Sequence, residues 1–189
     1  MTRTLRAAVI GLGSMGANHA RVLSDTPGVE LVAVADANPA AVNKTIAGRP
    51  IPGFPDAVSL LRETRPDMVS IVVPTQLHEE VALQAIAAGA NVLVEKPIAA
   101  TLDAARRIAV AAEQAGLVLT VGHIERFNPA VQELKRRLDA GQGGNVLQVR
   151  ARRVGPFPHR IRDVGVIYDL GPHDIDIMRY LLGDEIDRV

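Results

Sequence analysis

Five short, predominantly apolar runs, at residues 5–10, 29–35, 68–73, 91–95 and 117–121, constrain this chain more than any other feature. Between them lie stretches that read as helices, at 14–25, 39–47, 56–63, 77–88 and 102–115. A strand with no polar face must be covered on both sides, which a parallel sheet between two layers of helices provides. Local punctuation agrees with this alternation. Asn38-Pro39 offers a capping side chain and a proline for the first helical position, and Gly48, Gly89 and Gly116 follow the ends of three helices. The pattern predicts an α/β domain over residues 1–121, built as a doubly wound parallel sheet. After Gly122 the pattern changes. A helix is expected over 129–139, with Val131, Leu134 and Leu138 on one face, then a turn at Gly141-Gln-Gly-Gly144. Residues 145–154 alternate like a half-exposed strand of an antiparallel sheet. A loop over 155–163 and a helical stretch over 165–182, interrupted at Gly171-Pro172, come next. Residues 185–189 read as the start of a further strand. The expectation for 122–189 is thus the opening of a second, α+β domain with an incomplete antiparallel sheet.

Composition removes several classes of function. The chain has no cysteine, so a disulfide scaffold, a thiolate metal site and a cysteine nucleophile are excluded. Absence of cysteine fits a reducing compartment, and a cytoplasmic location is expected. Basic and acidic residues balance at 21 each, which argues against a polyanion binder. Five aromatic residues and no Trp are too few for a platform that stacks nucleic-acid bases. No apolar run approaches the ~20 residues of a membrane span, and the apolar stretch near the start ends at Gly11 without a cleavage site. The histidines and acids form no H-E-x-x-H or similar signature, so no metal is expected.

The first apolar run ends at Gly11-Leu-Gly13-Ser-Met-Gly16 and a helix follows at once. G-x-G-x-x-G alone is weak evidence in a chain with 16 glycines. Here it sits between strand and helix, and Asp36 lies 20 residues past Gly16 at the end of the next strand. That context makes it a dinucleotide fingerprint. Gly11 permits the turn, Gly13 lets the backbone approach a pyrophosphate, and Gly16 lets helix and strand pack closely. The backbone N–H groups of Ser14, Met15 and Gly16 open the helix toward the phosphates. Asp36 is suited to accept hydrogen bonds from ribose hydroxyls and to repel a 2′-phosphate, and no arginine adjoins it. NAD is therefore expected over NADP.

Three further motifs follow: Glu95-Lys96-Pro97, Gly122-His-Ile-Glu-Arg-Phe-Asn-Pro129 and Asp169-Leu-Gly-Pro-His173-Asp-Ile-Asp176. With the glycine loop before them, the chain resembles the Gfo/Idh/MocA oxidoreductases over essentially its whole length. The resemblance implies a Rossmann domain followed by a substrate domain. Arg153-Val-Gly-Pro-Phe-Pro-His-Arg160 and Asp163-Val-Gly-Val-Ile-Tyr-Asp169 look closest to the branch that oxidises C3 of UDP-N-acetylglucosamine and related UDP-sugars. It further implies that such proteins continue into a large antiparallel sheet and form homo-oligomers. The expectation is a C-terminally truncated member, with a truncated, catalytically silent dinucleotide binder and a dehydrogenase of a free sugar or polyol as alternatives.

Oxidation of an alcohol needs a base for the hydroxyl proton, a group to orient the hydroxyl and a hydride acceptor. Lys96 stands at a strand end, where open α/β sheets bind ligands, and is one of only three lysines. The resemblance assigns it to the reacting hydroxyl and the cofactor; from residues alone, a strand-end ion pair with Glu95 explains it equally well. Asp169 and His173 are four apart and share a face if helical. The resemblance makes them a catalytic pair that also contacts substrate, with His173 as base and Asp169 as its partner or a substrate ligand; from residues alone, a surface ion pair is the alternative. His123 is a candidate contact to substrate or cofactor. Pro74, Thr75 and His78 follow a strand end and are candidates to line the nicotinamide pocket together with Glu95, although Thr75 also reads as a helix cap. Asn128 reads as a cap as well, and His19 as a residue that packs or bonds locally. Arg150, Arg152, Arg153, Arg160 and Arg162 lie in an acid-free stretch suited to a diphosphate, with a solvated strand face as the alternative. Arg160 is the substrate candidate among them.

Overall fold

The computed structural model describes residues 3–152, 154 and 166–188, of which Val166, Tyr168 and Asp169 by backbone alone. It divides into two units, residues 1–122 and 123–189. In the first, six parallel strands lie in the order β3-β2-β1-β4-β5-β6. They are β1 (Leu5–Ile10), β2 (Val29–Ala35), β3 (Gly53–Phe54), β4 (Met68–Ile71), β5 (Asn91–Val94) and β6 (Leu119–Val121). The strand order reverses between β1 and β4, which opens a crevice at their carboxyl ends.

The apolar runs are explained by burial on both faces. Ala8 and Ile10 of β1, with Val69 and Ile71 of β4, pack against one helical layer. That layer contains α3 (Ala57–Thr64), α4 (His78–Ala87) and α5 (Leu102–Gln114), which contribute Leu60, Ala85 and Ile108. Val9 and Val34 point the other way, toward Ala20 of α1 (Ser14–Asp25) and Val42 of α2 (Pro39–Ile46). Alternate strand residues thus serve two cores. Asn38 accepts the Ala40 N–H at 3.0 Å and caps α2, with Pro39 at its first position.

Strand β3 has no counterpart in the sequence reading, because its two residues lie between Pro52 and Pro55 and present no apolar run. It forms an edge, where missing N–H groups cost little.

The second unit contains α6 (Pro129–Asp139), capped by Asn128, and α7 (Val166–Leu182). Two expectations fail here. Residues 145–152 and 184–188 are not strands, because a ladder needs a partner and none of the described residues of this unit supplies one. Helix α7 is continuous through Pro172 rather than interrupted there. The proline removes one N–H and the neighbouring turns carry the helix across it.

Candidate functional site

The glycine loop connects β1 to α1. Gly11 has φ +92°, and a Cβ on it would sit 2.5 Å from the Val72 carbonyl carbon and oxygen. A Cβ on Gly16 would come within 1.8 Å of the Gly11 carbonyl oxygen. Both glycines are therefore demanded by the chain itself. Gly13 differs: a Cβ there would meet nothing within 4 Å. Its surroundings are open, as a loop reserved for an approaching ligand requires. Gly13 is also the N-cap of α1, and no side chain caps that helix. The N–H groups of Ser14, Met15 and Gly16 thus begin a 12-residue helix without a side-chain acceptor, a setting that favours phosphate oxygens. A groove of about 610 Å³ between α1 and α2 opens beside Gly13, Ser14 and Asn38. The residues fit a dinucleotide.

Asp36 has a second task. Its Oδ2 accepts the Leu12 N–H at 2.6 Å, and its Oδ1 accepts the Asn38 N–H at 2.8 Å. It fixes the glycine loop to the end of β2, and its own N–H donates to Phe54 O at 3.1 Å on β3.

At the end of β5, Glu95 is 12% exposed in its side chain. His19 Nε2 donates to Glu95 Oε1 at 3.0 Å, and the Lys96 N–H donates to Oε2 at 3.1 Å. Burial raises the Glu95 carboxyl, but these hydrogen bonds outweigh it, and its pKa lies below the usual glutamate value. Gly122 fits against it, since a Cβ there would stand 2.9 Å from Oε1. His19 Nδ1 also pairs with Ser70 Oγ at 2.7 Å. His19 was expected to pack or bond locally; it packs, but its bonds are not local, since from α1 it reaches β4 and the end of β5. No spacing rule exposes such a pair, although Ser70, the one polar residue in the run 68–73, was its available signal.

His78 is 1% exposed, with Nδ1 2.9 Å from Pro97 O and Nε2 2.9 Å from Val73 O. Both ring nitrogens are engaged by backbone carbonyls, so the ring braces the segments after β4 and β5. Pro74 precedes a 3₁₀ turn that begins at Thr75, and Thr75 caps no helix. Lys96 leads into a cis peptide bond with Pro97.

In the second unit, His173 lies on α7, and Asp169 is four residues earlier on the same helix and so on the same face. The Asp169 side chain and all of Arg160 lie outside the described residues. Asp176, which the sequence reading did not single out, is 4% exposed. It accepts Arg126 Nε at 2.8 Å, and His123 Nδ1 stands 3.6 Å away. Burial raises its carboxyl, and Arg126 and the charges around it bring the net value below the usual aspartate range. Arg126 also lies 5.5 Å from the Tyr180 ring centroid. Asp176, Arg126 and His123 thus form one cluster between α7 and the turn before α6. Among the described residues, no group of three metal-ligating side chains occurs, and no helix is long and apolar enough to cross a membrane.

Comparison with known proteins agrees with this geometry. Residues 5–123 match an oxidoreductase family described as having an NAD-binding Rossmann fold, and residues 131–189 match the GFO/IDH/MocA C-terminal domain. Inositol 2-dehydrogenase 2 of Saccharopolyspora erythraea is 37% identical over 97% of this chain and 55% of its own length. UDP-N-acetylglucosamine 3-dehydrogenase of Acidithiobacillus ferrooxidans is also 37% identical, over 96% of this chain and 55% of its own. The crystal structure of GenD2 from gentamicin A biosynthesis, in complex with NAD, superposes with a TM-score of 0.85 at 30% identity. That match covers 97% of this chain and 55% of the GenD2 chain. The chain spans about half the length of the curated relatives it matches. It belongs to the Gfo/Idh/MocA family of oxidoreductases, with an NAD-binding Rossmann fold.

Proposed function

We propose that this protein oxidises a secondary ring hydroxyl of a cyclic polyol or sugar, with NAD as hydride acceptor. The observation that carries the reading is the uncapped start of α1 beside an open Gly13, within a family of NAD-binding oxidoreductases. Residues 1–121 act as the dinucleotide domain, and 122–189 belong to the substrate domain. Bound NAD supplies the hydride acceptor. Gly11, Gly13 and Gly16 shape its phosphate loop, Ser14 and Met15 present N–H groups, and Asp36 receives the adenosine ribose.

His173 takes the proton of the reacting hydroxyl as general base, and Asp169 orients its imidazole. The family resemblance assigns the Lys96 ammonium to the reacting hydroxyl, where a cation stabilises negative charge as the proton leaves. Loss of that proton, and of a hydride from the carbon, leaves a ketone. His123 contacts substrate or cofactor. Inositol-oxidising relatives at 33–37% identity support a free polyol as substrate. A second reading, a UDP-amino sugar oxidised at C3, is supported by a relative of that name and by the acid-free arginine stretch containing Arg160.

The test is NADH formation from NAD with myo-inositol, scyllo-inositol or UDP-N-acetylglucosamine, using this chain and any longer product of the same reading frame. One substrate class supports turnover, and Lys96→Ala and His173→Ala each lower the rate by about 100-fold or more. Unchanged rates in both variants refute the assigned roles. NAD binding without turnover on any of these substrates favours a catalytically silent binder.

A further inference from the structure

We propose that His19 and Glu95 are positioning residues that hold the two ends of the cofactor site at a fixed separation. The inference rests on the reading of the glycine loop as an NAD site. Helix α1 begins at the phosphate loop and carries His19 in its second turn. From there the imidazole crosses to Ser70 on β4, at 2.7 Å, and to Glu95 at the end of β5, at 3.0 Å. The His19 and Glu95 side chains are 15% and 12% exposed. Glu95 in turn receives the N–H of Lys96, so one chain of hydrogen bonds joins the phosphate-binding helix to the strand end that carries Lys96.

Stability alone is a poor reason for this arrangement. Apolar side chains of similar volume commonly serve a core as well as, or better than, a buried polar pair. What the pair adds is a fixed geometry between two elements that flank the β1/β4 crevice. A dinucleotide spans such a crevice, with its pyrophosphate at the start of the first helix. A ligand that touches both ends gains from their being held in place beforehand. A ligand confined to the phosphate-loop end does not.

The experiment compares NAD with ADP, which carries the adenosine and pyrophosphate alone. Both are titrated by calorimetry into the parent chain, His19→Gln, Glu95→Gln and the double variant, and each protein is also melted. NAD affinity is expected to fall about tenfold in each single variant, with ADP affinity within about twofold of the parent. The double variant is expected to bind NAD no more weakly than the weaker single variant, because both changes break one connection. Glu95→Gln keeps a side-chain amide able to hydrogen-bond, and serves if His19→Gln does not fold. Equal loss of NAD and ADP, or a lower melting temperature with unchanged NAD affinity, overturns the proposal and leaves the pair a stability element. A parent that binds neither ligand overturns the NAD-site reading itself, and this inference with it.

Discussion

Substituting each glycine of the loop with alanine separates what the fold requires from what the ligand requires. At Gly16 the added Cβ would be 1.8 Å from the Gly11 carbonyl oxygen, and both partners are backbone. Relief requires α1 to move away from β1 by more than 1 Å. Overpacking of this kind costs about 1–3 kcal/mol and occasionally more; because only backbone can yield here, about 3 kcal/mol is expected. For a chain of this size that lowers the melting temperature by roughly 10 °C. Gly11→Ala adds a strained φ of +92° to its own 2.5 Å contacts and falls in the same class. At Gly13 the methyl meets nothing within 4 Å, and φ is −63°, a value alanine readily adopts. Only a small loss of N-cap preference remains, so stability changes by less than about 1 kcal/mol. The same methyl projects where the pyrophosphate must approach, and NAD affinity is expected to fall at least about tenfold, or about 1.4 kcal/mol. Thermal melts paired with NAD titrations read both quantities. A Gly13→Ala protein that melts and binds like the parent refutes the assignment of this loop to the cofactor. One that unfolds refutes the claim that Gly13 is kept open for a ligand.

Other perturbations address neighbouring claims. Asp36→Arg shifts binding preference from NAD toward NADP, and also lowers stability by about 1–3 kcal/mol because the Leu12 N–H loses its acceptor; nucleotide titrations and melts measure the two effects. Arg126→Ala strands the buried Asp176 carboxylate. The expected loss is about 2–3 kcal/mol by denaturant titration, below the ~3–5 kcal/mol of fully buried pairs because Arg126 is 41% exposed. Glu95 and Asp176 both have lowered carboxyl pKa values in the folded chain. Their ionised forms stabilise the fold fully above the unfolded values near pH ~4, and this contribution disappears as pH falls through the lowered folded values. In acid melts, Glu95→Gln is therefore expected to lose less stability than the parent does as the pH falls below about 4.

How much of this was legible beforehand follows from sequence distance. The five apolar runs announced the sheet because burial on both faces leaves a composition signal in each strand by itself. The glycine loop was legible for the same reason: strand, turn and helix follow one another within a dozen residues, and the distant Asp36 stands at a spacing set by one helix and one strand. Residues 145–152 show the limit of such reasoning. Their alternation states which side chains would share a face if the segment were a strand, but a strand exists only through its partner's hydrogen bonds, and the segment lies outside the sheet. The same limit applies to the site. His19 meets Ser70 across 51 residues and Glu95 across 76, and Arg126 meets Asp176 across 50. Each contact is created by the order in which the chain lays down its elements, and no local pattern encodes it. Asp36 lies between these cases. Its position announces a ribose ligand, yet its hydrogen bonds to Leu12 and Asn38 make it part of the loop's own architecture. A residue placed where a cofactor needs it is thus also used by the fold, so a cofactor switch at this position carries a stability cost that its motif alone does not disclose.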